Sequence, residues 1–215
     1  MTVTWQQTQN PLTPAVIFRN GISSPVWIQK HWQEGTYAQY IRNNGCGHCC
    51  CAMAATLSGV SVDPYEAYLL CHTLWGAPTG TQDHYQTAAG IRAVLEHLQI
   101  PAREFGVEKN GGKAAAAHIM EALRQDKMVI LTSEPSDRLP NNPFSTGLHW
   151  ILLAGFHPDG SVFVANSSLK AAGLAVQKTD EATIAAAISE NCSPAGMTWG
   201  DCTRLPDGMG YLTVG

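Results

Sequence analysis

Hydrophobic spacing along the chain changes period near residue 125. Before that point apolar residues recur at helical intervals. Cys50, Met53, Ala54 and Leu57 form one such stripe, Ala88, Ile91, Leu95 and Leu98 a second, and Ala115, Ile119, Ala122 and Leu123 a third. Asp63-Pro64-Tyr65-Glu66 is a helix start in its own right: an Asp cap, proline at the first helical position and an acid three residues after the cap. It predicts a helix with Tyr68, Cys71, His72 and Trp75 on one face, where Cys71 and His72 read as core or lid residues. Gly76 to Gly80 break that helix, and Thr81 to Tyr85 lead into the next.

Beyond residue 125 the runs become short and β-branched. Met128–Thr132 reads as a buried strand, and Gly147–Phe156 as a longer one. Pro158-Asp159-Gly160 is a turn, and Ser161–Asn166 is the returning arm of a hairpin. Leu174–Gln177 and Tyr211–Val214 are further strand candidates, and a helix near Asp180–Ser189 turns Ile184 and Ile188 inward. Residues 1–30, spaced by Pro11, Pro14 and Pro25, read as irregular or short strands, with Ala15–Phe18 an edge strand. Helices first and an antiparallel sheet second make an α+β chain. With no repeat and no linker, residues 1–215 read as one domain.

One stretch carries more than packing: Asn44-Gly45-Cys46-Gly47-His48-Cys49-Cys50-Cys51-Ala52-Met53. Glycines flank Cys46 and the apolar stripe follows, so the thiol stands at the start of a helix. Backbone N–H groups and the positive end of the helix dipole favour a thiolate there. His48 reads as a rim residue, turned away from the nucleophile. A hundred residues on, His149 opens the long strand and Asn166 ends the next, so antiparallel pairing brings them to the same end of the sheet. Cysteine, histidine and asparagine in that order are the constellation of papain-type thiol catalysis.

These blocks resemble the bacterial papain-like cysteine peptidases of the double-glycine leader (bacteriocin-processing) type. Gly45-Cys46-Gly47, Ala52-Met53, His149-Trp150, Gly155, Asp159-Gly160 and Asn166 match the family pattern over roughly residues 25–170. His48 replaces its usual proline, Cys49 to Cys51 its small residues, and Leu148 separates Gly147 from His149. Asn166-Ser167 stands where Asp-Pro is commoner. The resemblance implies a papain-like fold, the Cys46 helix packed on an antiparallel sheet, and a peptide or protein substrate. It also implies a glutamine upstream of the cysteine as oxyanion donor. Gln39 has nearly the papain-type spacing, while Gln29, ahead of Trp32, better fits the family's glutamine-to-tryptophan block and is preferred.

Composition removes other classes. Hydrophobic residues make up 45% and charged residues 14%, which suits a globular core and not a disordered chain. A net charge of −4 gives no basic footprint for nucleic acid. The N-terminus lacks a signal-peptide pattern and no apolar run approaches membrane-spanning length, so no membrane partner is expected. Seven cysteines, three of them consecutive, do not form a secreted disulfide framework. A cytoplasmic setting is the default reading, and a phage particle or non-classical export is compatible with the same features.

Two rival chemistries share the central stretch. Cys46-Gly47-His48-Cys49 is a dithiol motif of disulfide isomerases, but no βαβ unit precedes it. Three adjacent cysteines on a helix diverge by about 100° each, and Cys192 and Cys202 lack a partner pattern, so no metal and no cofactor is expected. Acyl transfer to an amine, as in transglutaminase-like enzymes, would use the same three residues as hydrolysis.

Overall fold

The computed structural model describes residues 1–75, 87–108, 110–169, 173–189 and 210–215. The break at Gly76–Gly80, the Thr81–Tyr85 loop, the Trp75 side chain, Cys192 and Cys202 lie outside the described residues.

A six-stranded sheet organises the chain. In chain order its strands are β4 (Ala102–Phe105), β5 (Met128–Ser133), β6 (His149–Phe156), β7 (Val162–Ala165), β8 (Val176–Thr179) and β9 (Tyr211–Val214). Across the sheet they run β4-β9-β5-β6-β7-β8, every neighbour antiparallel. The helices are α1 (Ala38–Asn44), α2 (Cys46–Leu57), α3 (Pro64–Trp75), α4 (Ala88–His97), α5 (Gly112–Arg124) and α6 (Glu181–Ala187). Strand alternation divides the core. Trp150, Leu152, Ala154, Phe163 and Ala165 join the cluster that holds α2 and α4. Ile151, Leu153, Val162 and Val164 join the one that holds α5 and α6. Helices on both faces explain why β6 is a continuous apolar run where a half-exposed strand would alternate.

This is the α+β arrangement expected, with the cysteine helix packed against β6. The single buried stripe foreseen for α2 proves too narrow, because every residue from Cys46 to Ala55 is buried. The segment carries no formal charge and is mostly alanine and cysteine, so β3 (Ile22–Val26), β6, α3 and α4 all approach it closely. His48 is therefore not a rim residue. It is 2% exposed and meets the Tyr68 ring edge-on at 5.6 Å. Cys71 and His72 are core, and His72 lies 4.4 Å from the Tyr68 ring centre.

The N-terminal thirty residues are more ordered than expected. β1 (Thr4–Gln7), β2 (Ala15–Arg19) and β3 form a separate antiparallel sheet, and β2 is its central strand, not an edge. The signal was Asn20-Gly21, at φ 53° and 76°, the two-residue hairpin turn that wants positive φ at both positions. Pro25 is accommodated because β3 is an edge strand. This sheet is tied to β6 at a bulge between Leu153 and Gly155. The bulge takes Ala154 out of the ladder, and Arg19 Nε donates to its carbonyl at 3.0 Å while Arg19 Nη2 pairs with Asp126 at 3.1 Å. Gly155 has φ 141°, and a Cβ there would stand 2.8 Å from Val3, so glycine lets residues 1–3 lie against the strand.

Other differences are shifts of boundary. β8 starts at Val176, since Leu174 is 57% exposed. α6 is capped by Asp180, which accepts from Thr183 N–H at 2.7 Å, and it ends before Ile188. Ile188 still points inward, bridging Ser133.

Candidate active site

Cys46 is the first residue of α2, following α1 after the single residue Gly45. A Cβ at Gly45 would meet the Ile41 carbonyl oxygen at 2.5 Å and its Cα at 2.8 Å, so only glycine allows the two helices to abut. The thiol thus sits at the positive end of a twelve-residue helix. Cys46 is 8% exposed, whereas Cys49, Cys50 and Cys51 are at 1% or less. Burial pushes the Cys49 and Cys50 thiols well up, and negative charge on Cys46 raises both further. Burial alone takes Cys51 to about 12. Of the four thiols in this stretch Cys46 is the least enclosed, and burial favours the neutral form of the other three.

The Cys51 shift has a consequence for stability. A thiol whose value is raised in the folded state loses nothing below its ordinary value near 9, and stability falls as pH climbs from there toward 12. Alkaline denaturation between pH 9 and 12 should steepen by up to about 1.4 kcal/mol per pH unit from this group. Cys51→Ala should remove that part of the slope, as read by urea unfolding at stepped pH; an unchanged slope would show that the thiol titrates as freely folded as unfolded.

At the opening of β6, the His149 ring meets Asn166 just past the end of β7: Nε2 to Oδ1 is 2.8 Å, with both residues buried. An amide oxygen only accepts, so Nε2 carries the hydrogen. The orientation of the amide is set by four bonds. Asn166 Nδ2 donates to the Phe144 carbonyl at 2.9 Å and to Gln177 Oε1 at 3.3 Å, and Oδ1 also accepts from Ser168 N–H at 2.8 Å. Gln177 is held in turn, donating from Nε2 to the Pro143 carbonyl at 3.0 Å.

Sequence reasoning missed this support. Residues 134–146 run from the end of β5 toward the start of β6 with only prolines and asparagines to mark them. Asn142, Phe144 and Ser145 are buried, Asn142 bonds Ser133 Oγ and the Phe144 N–H, and the Phe144 carbonyl holds the Asn166 amide. A carbonyl partner has no side-chain signature. Gln177 reveals itself only through the pairing of β8 with β7, where it lies opposite Val164.

The two glutamines part company. Gln39 is exposed on α1. Gln29 lies in a short 3₁₀ turn, and its N–H donates to the Ser167 carbonyl at 3.2 Å, which ties it to the turn leaving Asn166. Its Oε1 is buried without a hydrogen-bond partner among the described residues. With Lys30, Arg42, Asn43 and Ser168 it lines a cleft between the segment entering Cys46 and the segment leaving Asn166.

Among the described residues no group of three His, Cys, Asp or Glu side chains is placed to hold a metal ion. No helix among them is long and apolar enough to cross a membrane. Among the described residues Cys46 and Cys49 are not joined by a disulfide, both sheets are antiparallel, and no βαβ unit of a thioredoxin-type dithiol is present.

No protein-family model matches the chain, and no curated protein matches it. Several solved structures are similar to it, two peptidases among them. The peptidase domain of Streptococcus ComA, a bi-functional ABC transporter of a quorum-sensing pathway, is 12% identical at a TM-score of 0.45, over 85% of this chain and 93% of that one. A C39-like peptidase from Bacillus anthracis is 11% identical at the same TM-score, over 80% and 89%. Both of these neighbours are peptidases or peptidase domains.

Proposed function

We propose that the protein is a cysteine peptidase or amide hydrolase, with Cys46 as nucleophile, His149 as proton carrier and Asn166 as the residue that orients it. The observation that carries this reading is the Asn166 network. An amide with all four hydrogen-bonding positions used fixes the proton of His149 on Nε2, which makes Nδ1 the basic nitrogen of the neutral ring.

In the first step the Cys46 thiol proton passes to His149, giving a thiolate and an imidazolium whose Nε2–H stays bonded to the neutral Asn166. The sulfur attacks the substrate carbonyl, a C–S bond forms, and the carbonyl electrons move onto oxygen. The Cys46 N–H at the head of α2 and the Gln29 amide are the donors for that oxyanion. His149 then gives its proton to the leaving amine as the C–N bond breaks. Water, losing a proton to His149, attacks the thioester, and the acid departs as the thiol is restored. Gln29 is preferred to Gln39 because it lines the cleft beside the site, where Gln39 faces solvent on α1.

Peptide-resolved alkylation of all seven cysteines with iodoacetamide, from pH 5 to 9, tests the first step. Cys46 should react fast at pH 6 and lose on the order of 100-fold in rate in His149→Ala, because an ordinary thiol is under 1% ionised there. Cys49, Cys50 and Cys51 should stay unmodified across the range. Reaction of Cys46 at an ordinary thiol rate, indifferent to His149, would defeat the reading.

A further inference from the structure

The cleft beside the site carries two cations that the peptide-cleaving reading does not use. Its lining is Gln29, Lys30, Arg42, Asn43 and Ser168: two cations, two amides and a hydroxyl, with no carboxylate among them. Arg42 Nη1 donates to the Trp32 carbonyl at 3.0 Å, which fixes the guanidinium in place. Neither Lys30 nor Arg42 forms an ion pair among the described residues. The charge is local, since the chain as a whole is acidic at −4.

The position matters as much as the composition. Arg42 and Asn43 precede Cys46 by four and three residues, and Ser168 follows Asn166 by two while its N–H bonds the Asn166 oxygen. A group seated between Arg42 and Lys30 therefore lies within a few residues' reach of the bond under attack. We propose that this cleft is a subsite for a substrate carboxylate, so that the enzyme selects peptides bearing negative charge beside the scissile amide. The proposal rests on Cys46 being the nucleophile only for its catalytic meaning; the cleft's affinity for a carboxylate stands on its own lining. A guanidinium held by a carbonyl and an ammonium beside it bind a carboxylate by charge-assisted hydrogen bonds, with Arg42 giving direction and Lys30 a point charge. The carboxylate has two sources, an acidic side chain or a free C-terminus.

Three fluorescein-labelled tetrapeptides separate these, read by fluorescence polarisation against the full chain carrying Cys46→Ala. One ends Gly-Gly with a free carboxylate, one ends Gly-Asp amide, and one ends Gly-Gly amide. One or both acids should bind about tenfold more tightly than the neutral amide, and the acid that gains identifies the source. The gain should vanish in Arg42→Gln and in Lys30→Gln and shrink as salt is raised. Arg42→Lys, which keeps the charge and loses the fork, should retain part of it. Because Arg42 also bonds Trp32, the exposed Lys30→Gln keeps the test decisive if Arg42→Gln unfolds. Equal binding of the three peptides, no binding by any, or a gain that survives both substitutions overturns the proposal. Iodoacetamide alkylation of the wild type is run alongside. Acid-selective binding with an ordinary Cys46 would sink the nucleophile and keep the cleft, and a fast Cys46 with no acid preference would do the reverse.

Discussion

His149→Ala is expected to lower amide turnover by about a thousandfold or more while the protein stays folded. General acid–base catalysis contributes about 10²–10⁴ to such reactions, and here the same ring also holds the thiolate. The fold should survive because Asn166 keeps three of its four hydrogen bonds when the ring is removed: Phe144, Gln177 and Ser168 remain. Cys46→Ala should be at least as damaging, and the double variant no worse than Cys46→Ala alone, since residues that act as one unit do not add. The check is initial rates on a fluorogenic peptide found by screening, with circular dichroism on each variant. A His149→Ala enzyme within tenfold of wild type would mean that the proton moves elsewhere.

Asn166→Asp should cost stability, although aspartate is the commoner residue in the family that the motifs resemble. Nδ2 of Asn166 faces two acceptors, the Phe144 carbonyl and Gln177 Oε1, inside a buried pocket. A carboxylate there sets oxygen against both. Leaving two buried acceptors without donors costs about 1–3 kcal/mol each, and attraction to a charged His149 returns only part of it. A net loss of about 2–4 kcal/mol at neutral pH is expected from urea unfolding. The deficit should narrow in acid, because protonation turns one oxygen back into a donor. An Asn166→Asp protein as stable as wild type at pH 7 would show that the pocket rearranges freely.

Much of this arrangement was legible in the chain, and the reasons differ by element. Cys46, His149 and Asn166 stand out because each lies at the end of an element whose period is easy to see: a helix start between glycines, and two arms of a hairpin with an Asp-Gly turn. β4 went unseen because Ala-Arg-Glu-Phe offers one clear apolar residue in four and gains its place only by pairing with β9. The breadth of α2's burial was hidden for the opposite reason. Small residues read as weakly amphipathic, yet small size on every side is what lets four elements crowd one helix. The N-terminal sheet had a local signal in Asn20-Gly21, overshadowed by the prolines around it. The Phe144 carbonyl and Gln177 had none, since what they do depends on strands that pair across the sheet.

The position of β9 sets the order in which the protein can be made. Tyr211–Val214 slots between β4 and β5, bonding both, so those strands have no direct partnership without it. β5 to β8 close through successive neighbours and can pair as they leave the ribosome. Their open flank on β5 then waits for residue 211, 78 positions after Ser133. At translation speeds of about 5–20 residues per second that is an interval of several seconds with an apolar strand edge bare. Pairings so distant in sequence are also slow to find. The nascent chain therefore passes through a stage in which His149 and Asn166 have met but the sheet beneath them is half built, and a chaperone or a neighbouring chain has time to reach that edge first.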